Sequence, residues 1–315
     1  MKQATGAKSK LVIGFESAFG ILATTGYNMP FNSSGVKGQR NQTTPSTIRG
    51  NLNPMEPFDG NTSVAGQIVV PVDSIAFWYW LKAMFGDPTT SGTGPFDHEF
   101  KAGDDSRGSI SIEHQFLDLD TPQYFQYTGC KINSCAISTG GDGELVATLD
   151  VVGAKETIAT SPMDSSQTDV SFARLKNNAA TLKEGGSAIN NAKVADFTIS
   201  WNCDTDQYVI GGGGVLGFIP DGVMSVSGNL DALFEDVTLL NKALNSTESS
   251  LEVTYSAAAD SSLVFKFPEL KYSQNSPGID GPQGVAVSLP WSAYYTDAIE
   301  AASVVATITN NEEHV

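Results

Sequence analysis

The chain has 315 residues, 17% of them charged, and its 35 acidic and 18 basic residues give a net charge of −17 at pH 7. This length is sufficient for two domains with their own cores. The acidic balance argues against nucleic-acid binding as the main activity, because such binding draws its affinity from Lys and Arg. A charge content below the roughly 25% typical of soluble domains favours a surface that forms interfaces.

The amino-terminal segment and the cysteines indicate the cellular compartment in which the chain folds. Residues 1–6 lack the apolar core of a secretory signal, and no segment has the ~20 apolar residues of a membrane span, so we expect no membrane insertion. Cys130, Cys135 and Cys203 form neither an even disulfide set nor a zinc pattern. We expect buried free thiols in a reducing compartment, with Cys130 and Cys135 on opposite faces of one strand.

The first half of the chain opens with an apolar stretch over residues 10–20, followed by a long polar segment. Residues 24–44 are rich in Gly, Pro, Asn and Ser and have no periodicity. They predict an extended loop that orders mainly on a neighbouring subunit.

A helix is predicted over residues 74–85, with Asp73 as its cap and Gly86 at its end. The helix is apolar on nearly all sides, so it must be covered on several sides, either by its own lobe or by another subunit. Alternating apolar and polar residues then predict strands at 108–116 and 143–152.

Residues 154–169, rich in Ser, Thr and Pro, are the predicted joint between two lobes. The second half shows a strand pattern at 197–202, a helix over 232–244, and strands at 249–255 and 284–291. The terminal tail 307–315 is expected to order mainly through a neighbouring subunit.

The two halves repeat the same order of elements. Residues 63–66 (Ser-Val-Ala-Gly) and 225–228 (Ser-Val-Ser-Gly) each precede a predicted helix, and strands follow both. Thr148-Leu149 corresponds to Ser288-Leu289, and Lys131 to Lys271. We therefore predict a mainly β fold of two similar β-sandwich-like lobes, each with one short α-helix, at 1–160 and 161–315. Side-by-side similar lobes suit a ring or tube better than a single cleft.

Chemical motifs are weak. Gly212, Gly214 and Gly217 have the spacing of a dinucleotide-binding loop, but residues 218–222 that follow do not begin a helix. Without a helix terminus the pyrophosphate has no site, so we expect a flexible glycine loop or a close strand crossing and no nucleotide cofactor.

The three histidines, His98, His114 and His314, offer little for catalysis, and His114 lies on the apolar face of a strand, where a core role is expected. Two acidic pairs, 104–105 and 118/120, lack the Gly and distal Glu of a calcium loop, so solvated turn carboxylates are expected. No Ser or Cys has a recognisable catalytic base. We predict a protein that is not an enzyme, with no catalytic residue, metal site or cofactor.

Several short segments together resemble the major tail tube proteins of long-tailed bacteriophages. They are residues 14–20 (Gly-Phe-Glu-Ser-Ala-Phe-Gly), 47–50, Gly60 with 63–66 leading into a helix, and, in the second half, 197–202, Gly222 and 225–228. The resemblance extends over nearly the whole chain.

The resemblance implies a structural virion protein whose rings stack into the tail tube, the conduit for DNA ejection. Its usual unit is one lobe, six to a ring, so a chain with two lobes implies trimeric pseudo-sixfold rings, with hexameric rings as the alternative. Implied partners are further copies of the chain, other tail proteins at the tube ends, and phage DNA that passes without specific binding. The implied location is the virion tail, after assembly in the host cytoplasm.

Two other classes remain open at this point. A carbohydrate-binding or adhesin-type β-protein would expose Trp and Tyr side chains as a sugar platform. Another tail or capsid structural component, such as a tail terminator, would share the assembly logic without the repeated stacking.

Overall fold

A computed structural model describes residues 2–103, 107–279, 281–296 and 300–314. Within these ranges the chain is mainly β, with two α-helices, as the sequence predicts.

The strands of residues 1–160 are β1 (Ser9–Phe15), β2 (Tyr27–Met29), β3 (Ser33–Ser34), β4 (Lys37–Thr43), β5 (Phe58–Pro71), β6 (Thr89–Ser91), β7 (Phe96–Lys101), β8 (Ile110–Phe116), β9 (Gln123–Thr139), β10 (Val146–Gly153) and β11 (Lys155–Ala159). Those of the remainder are β12 (Thr168–Asp169), β13 (Thr181–Glu184), β14 (Ser187–Ile189), β15 (Ala192–Ser200), β16 (Ser225–Leu233), β17 (Ser249–Ala258), β18 (Ser261–Tyr272), β19 (Ala286–Ala293) and β20 (Val305–Asn310). The helices are α1 (Phe77–Phe85) and α2 (Thr238–Leu244), and short 3-10 turns lie at Gly6–Lys8 and Asn177–Ala179.

Eight strands, which we call the large sheet, pair in the order β4–β5–β10–β9–β15–β16–β19–β18. The first part of β18 leaves this row and pairs with β17 and β20, which pair in turn with β13 and β7. All neighbouring strands of the large sheet are antiparallel. The centre of the sheet is the junction between β9 and β15, where the two halves of the chain pair directly. A smaller sheet, in the order β12–β2–β1–β8–β9–β11, packs against it. The long strand β9 contributes its first part to the smaller sheet and its second part to the large one.

The two halves of the large sheet have matching registers. Gly66 on β5 lies opposite Val151 on β10, and Gly228 on β16 lies opposite Trp291 on β19. Leu149 lies opposite Ile68, and Leu289 opposite Leu230. Lys131 pairs with Val152 in the first half, and Lys271 with Ser292 in the second. The residues that correspond in sequence thus occupy corresponding ladder positions.

Helix α1 begins at Phe77, three residues later than the predicted start. Asp73 Oδ1 accepts hydrogen bonds from the backbone N–H groups of Ile75 and Ala76, both at 2.6 Å, so it caps the turn that leads into the helix. Gly86 follows with a φ of 89°, which only glycine adopts readily. The apolar side chains of α1 are buried within the chain itself, where they contact the core between the two sheets; they are Phe77, Trp78, Trp80, Leu81, Met84 and Phe85.

Three local predictions were wrong, each because long-range pairing decided the outcome. Residues 24–44 are not a loop that waits for a neighbouring subunit, since they contain β2, β3 and β4 and pair with β1 and β5. The segment 305–310 is strand β20, held between β18 and β7. Residues 232 and 233 end β16, so the second helix begins only at Thr238. The predicted joint, residues 154–169, contains β11 and β12.

Candidate channel-lining face

One side of the large sheet faces solvent, and we call it the polar face. It alternates with the apolar residues that point into the core, as period-two strand geometry requires. It comprises Lys37 on β4; Ala65, Gln67 and Val69 on β5; Thr148, Asp150 and Val152 on β10; Ser134, Ala136 and Ser138 on β9; Asp196, Thr198 and Ser200 on β15; Ser227, Asn229 and Asp231 on β16; Ser288, Pro290 and Ser292 on β19; and Lys271 on β18. Most of these side chains are short.

The carboxylates on the inner strands of this face are each held by a neighbour, while two basic residues on the same face, Lys37 and Lys271, lie on its outermost strands β4 and β18. Asn133 Nδ2 donates to Asp150 Oδ2 at 3.1 Å, and Ser138 Oγ donates to Asp196 Oδ1 at 3.0 Å. Asn229 Nδ2 donates to Asp231 Oδ1 at 2.6 Å. No ion pair between described residues includes Asp150, Asp196 or Asp231. Their charges are therefore not neutralised by a basic neighbour.

Basic residues occupy only the margins of the large sheet. Lys131 on β9 is buried in an ion pair with Asp221, and Lys193 lies at the bulge where β15 begins. Lys37 and Lys271 lie on the two outermost strands, β4 and β18. Between these margins, the hydroxyls, amides and isolated carboxylates of the inner strands offer a passing polyanion no favourable phosphate contact.

Comparison with known protein families identifies the class of protein. The chain matches the phage tail tube protein family over residues 6–293. It belongs to that family. The protein is therefore a structural component of the phage tail tube, the conduit for DNA ejection, and assembles with copies of itself, which confirms the resemblance read from the sequence. No curated protein matches the chain.

The motif at residues 14–20, which contributed to the resemblance, has a structural role. Glu16 accepts hydrogen bonds from Ser109 Oγ at 2.6 Å and Ser111 Oγ at 2.8 Å. It also accepts from the backbone N–H groups of Gly20 and Gly129, both at 2.8 Å. One carboxylate thus joins the end of β1 to β8 and to β9, where β9 passes from the smaller sheet to the large one.

The glycine loop belongs to a longer excursion, residues 202–224, between β15 and β16. Thr62 N–H donates to Gly214 O at 2.7 Å, and Tyr208 Oη donates to Thr62 O at 3.1 Å, so the loop packs on the start of β5. The dinucleotide spacing has no helix behind it in the structure either. Val209 and Ile210 at its tip are exposed, Ile210 completely.

Sequence reasoning missed a buried ion-pair network that holds this loop. Arg107 Nε donates to Asp221 Oδ2 at 2.7 Å, Arg107 Nη2 also pairs with Asp221 Oδ1, and Lys131 Nζ lies 3.2 Å from Asp221 Oδ2. The Arg107 guanidinium lies over the Trp201 ring at 4.8 Å. Burial opposes ionisation of Asp221, but hydrogen bonds and charge from Arg107 and Lys131 outweigh it and hold the pKa of Asp221 below its ordinary value. Arg107 and Asp221 are 114 residues apart, so no local pattern signals the contact.

The histidines lie apart from the polar face. His114 Nε2 is 2.8 Å from Ser34 Oγ, and burial lowers the pKa of His114 to about 4. His314 stacks on Trp78, with ring centroids 4.4 Å apart, and His98 Nε2 lies 3.0 Å from Glu312 O. His314 and Glu312 are therefore packed against α1 and β7 of the same chain.

All three cysteines are free thiols, as expected, but the faces predicted for two of them were wrong. Cys130 and Cys135 both lie in the core, because Asn133 is an extra residue between the rungs Ile132–Val151 and Ser134–Asp150. A bulge of this kind reverses the alternation of side chains along the strand. Burial raises the pKa of Cys135 to about 12.

The acidic pairs singled out in the sequence form no metal site among the described residues. Asp104 and Asp105 lie outside the described residues, and Asp118 accepts hydrogen bonds from the backbone and hydroxyl of Thr5. Across the described ranges, no group of three or more His, Cys, Asp or Glu is placed to hold a metal ion. No helix in the part of the chain that the structure describes is long and apolar enough to cross a membrane.

The four Trp side chains, which a sugar-binding platform would expose, are all buried: Trp78, Trp80, Trp201 and Trp291 are at most 6% exposed. No Trp side chain is therefore exposed to form the sugar-binding platform that the adhesin alternative requires.

Proposed function

We propose that three copies of this chain form each ring of the tail tube, with two lobes per chain, at 1–160 and 161–315, arranged around a pseudo-sixfold axis. The matching registers of β4–β5–β10–β9 and β15–β16–β19–β18 carry this proposal. Two sets of four strands with the same order and the same ladder positions are what a duplicated lobe gives. Since the family resemblance implies six lobes to a ring, a chain with two lobes needs three copies rather than six.

In this arrangement the polar face lines the channel. Its carboxylates repel the phosphates of DNA, and its short polar side chains leave nothing for the duplex to bind specifically. The role is mechanical, without catalytic residue, metal or cofactor. Assembly takes place in the host cytoplasm, and other tail proteins meet the tube at its two ends.

Stacking of one ring on the next involves the end of the large sheet where β5 begins. Residues 44–57 project there between β4 and β5, with Ile48 95% exposed and Leu52 fully exposed. The tip of the 202–224 loop packs beside β5 at the same end. Exposed apolar side chains on two neighbouring projections are suited to burial against the next ring. This segment replaces residues 24–44 as the stacking element.

Electron microscopy and mass measurement of the purified protein test the ring. We expect stacked rings with threefold symmetry and a released ring with three times the 33.3 kDa mass of the chain. Rings of six chains would contradict the trimer while leaving the tube role intact. A protein that forms no ring or tube under any assembly condition would contradict the tube role itself.

A further inference from the structure

The large sheet has one open backbone edge at β4 and another at the residues that follow the β17-paired part of β18. Just before β4, Gly35 N–H donates to Gln67 O at 2.8 Å, so Gly35, Lys37 and Gln39 point toward β5. Successive residues of a strand point to alternate edges, so Val36, Gly38 and Arg40 present their backbone groups away from the sheet.

The opposite edge is formed by residues 272–276, which continue β18 alongside β19. Ser273 N–H donates to Pro290 O at 2.7 Å, and Asn275 Nδ2 donates to Ser288 O at 2.8 Å. The backbone ladder thus reaches Ser273, and the backbone groups of Tyr272 and Gln274 on either side of it point away from β19. Asn275 and its neighbours 273, 274 and 276 are exposed.

The chain already contains one junction between the corresponding strands, where β9 pairs with β15. Ile199 lies opposite Cys135, Thr198 opposite Ala136 and Phe197 opposite Ile137. Trp201 N–H donates to Asn133 O at 2.8 Å, so Phe197, Ile199 and Trp201 point toward β9. Strand β4, which pairs with β5, corresponds to β15, which pairs with β16. Strand β18, which pairs with β19, corresponds to β9, which pairs with β10.

We propose that β4 of one chain pairs antiparallel with residues 272–276 of the next chain, in the register of the β9–β15 junction. Transferring that register along the matched ladders places Gly38 opposite Gln274, Lys37 opposite Asn275 and Val36 opposite Ser276. In both edges the residues that must exchange hydrogen bonds, Gly38 and Gln274, already point outward. The pairing makes the polar face continuous from chain to chain and covers both of these edges, which would otherwise template aggregation.

In the single chain, the side chain of Glu156 on β11 covers the β4 edge. Glu156 Oε2 accepts a hydrogen bond from the outward N–H of Gly38 at 2.7 Å. A charged group at a sheet edge blocks uncontrolled pairing with other chains. Ring closure replaces this contact with a backbone bond to Gln274.

Disulfide trapping tests the register, which rests on the proposed function. Lys37 and Asn275 form a pair that does not exchange hydrogen bonds, where Cα atoms lie about 4.5 Å apart and cysteines bridge readily. Mild oxidation of assembled Lys37→Cys/Asn275→Cys protein should give disulfide-linked dimers and closed trimers on non-reducing gels. Lys37→Cys/Gln274→Cys, with the second thiol on the opposite face, and the unmodified chain with its three native cysteines should give none.

Each outcome decides a separate claim. Tubes that assemble without the Lys37–Asn275 bridge, or that bridge equally in the shifted control, overturn the register and leave the tube role standing. Covalent hexamers keep the register but overturn the three-chain ring. A chain that never assembles overturns the proposed function.

A second variant covers the case in which the cysteine pair disturbs assembly. Gln274→Pro removes an N–H that points outward and makes no hydrogen bond to β19. The thermal unfolding temperature of this variant should therefore match that of Gln274→Ala. We expect the proline variant to stay monomeric where the alanine variant forms tubes. Normal tubes from Gln274→Pro would overturn the proposal.

Discussion

At the scale of single residues, two glycines set how closely the strands of the large sheet approach. A Cβ on Gly228 would overlap Asp196 O on β15 and lie 2.5 Å from the Trp291 ring on β19. A Cβ on Gly66, the corresponding residue of the first half, would overlap the backbone of Gly35. The Ser-Val-Ala-Gly and Ser-Val-Ser-Gly motifs therefore end in glycine because the neighbouring strand leaves no room for a side chain.

Gly228→Ala should lower the free energy of unfolding by about 1–3 kcal/mol, the usual cost of overpacking. Urea unfolding followed by Trp fluorescence measures it. Ser227→Ala, one residue away on the exposed polar face, is the control and should change stability by less than about 0.5 kcal/mol. Equal stabilities of the two variants would mean that β15 and β19 move apart freely at this point.

His114 makes stability depend on pH. Its folded-state pKa of about 4 lies below its ordinary value of 6.5, so the unfolded chain binds the proton more tightly. This contribution is complete above pH 6.5 and is lost as the pH falls toward 4, by up to about 3 kcal/mol. His114→Gln should therefore lose less stability than the unmodified chain between pH 6.5 and 4 in chemical unfolding.

Asp73 provides a control of opposite sign. Burial raises the pKa of its carboxyl to about 6 from 3.8, so its contribution is complete below pH 3.8 and is lost as the pH rises through 6. Asp73→Asn should shift the pH dependence in the direction opposite to His114→Gln. Two variants with the same slope would contradict the assignment of both groups.

At the scale of elements, the half-buried carboxylate of Asp221 helps to fix the 202–224 loop. The side chains of Arg107 and Lys131 are only 2% and 6% exposed, so they need the charge of Asp221. The loop carries the exposed tip that we assign to ring stacking. Its position is thus set from the first half of the chain, although its sequence lies in the second.

Asp221→Asn should cost about 3–5 kcal/mol of unfolding free energy, because it leaves buried cations uncompensated. It should also speed proteolysis within residues 202–224. Asp59→Asn, which breaks the exposed pair of Asp59 with Arg40, is the matched control and should cost less than about 1 kcal/mol. Similar losses in both variants would show that the buried network does not hold the loop.

At the scale of the whole molecule, the effect of the net charge of −17 on DNA depends on which faces carry the acidic residues. Only the carboxylates on the polar face meet DNA if that face lines the channel. Charge elsewhere serves solubility and leaves passage unaffected.

Replacing Asp150, Asp196 and Asp231 together by Lys should make assembled tubes retain short duplex DNA at low salt and release it as salt rises. The unmodified tubes should retain little, and one Asp→Asn change should matter little. The matched control replaces Asp142, Glu235 and Asp260 by Lys; these residues are exposed and lie off the polar face, so the net charge changes by the same amount. Equal retention by both triple variants, measured with labelled DNA, would show that this face does not line the channel.

The amino-acid sequence by itself determined the features that depend on near neighbours. Alternation identified strands at residues 110–116 and 146–153 and the buried face of the second, and the cap at Asp73 with Gly86 bounded the first helix. In the first of these strands both faces are covered, since Ser111, Glu113 and Gln115 are buried. These signals are local because backbone geometry repeats every two or 3.6 residues. The family and its structural role followed from the order of such elements.

Tertiary structure decided what depends on residues far apart. The extra residue Asn133 in β9 brought Cys135 into the core, and partners on β1 and β5 turned polar residues 24–44 into strands. The ion pair of Arg107 with Asp221 joins segments that no periodic pattern relates. Pairing energy across the sheet outweighed the weak local preference of each of these segments, and a preference of that size cannot be predicted without knowing the partner strand.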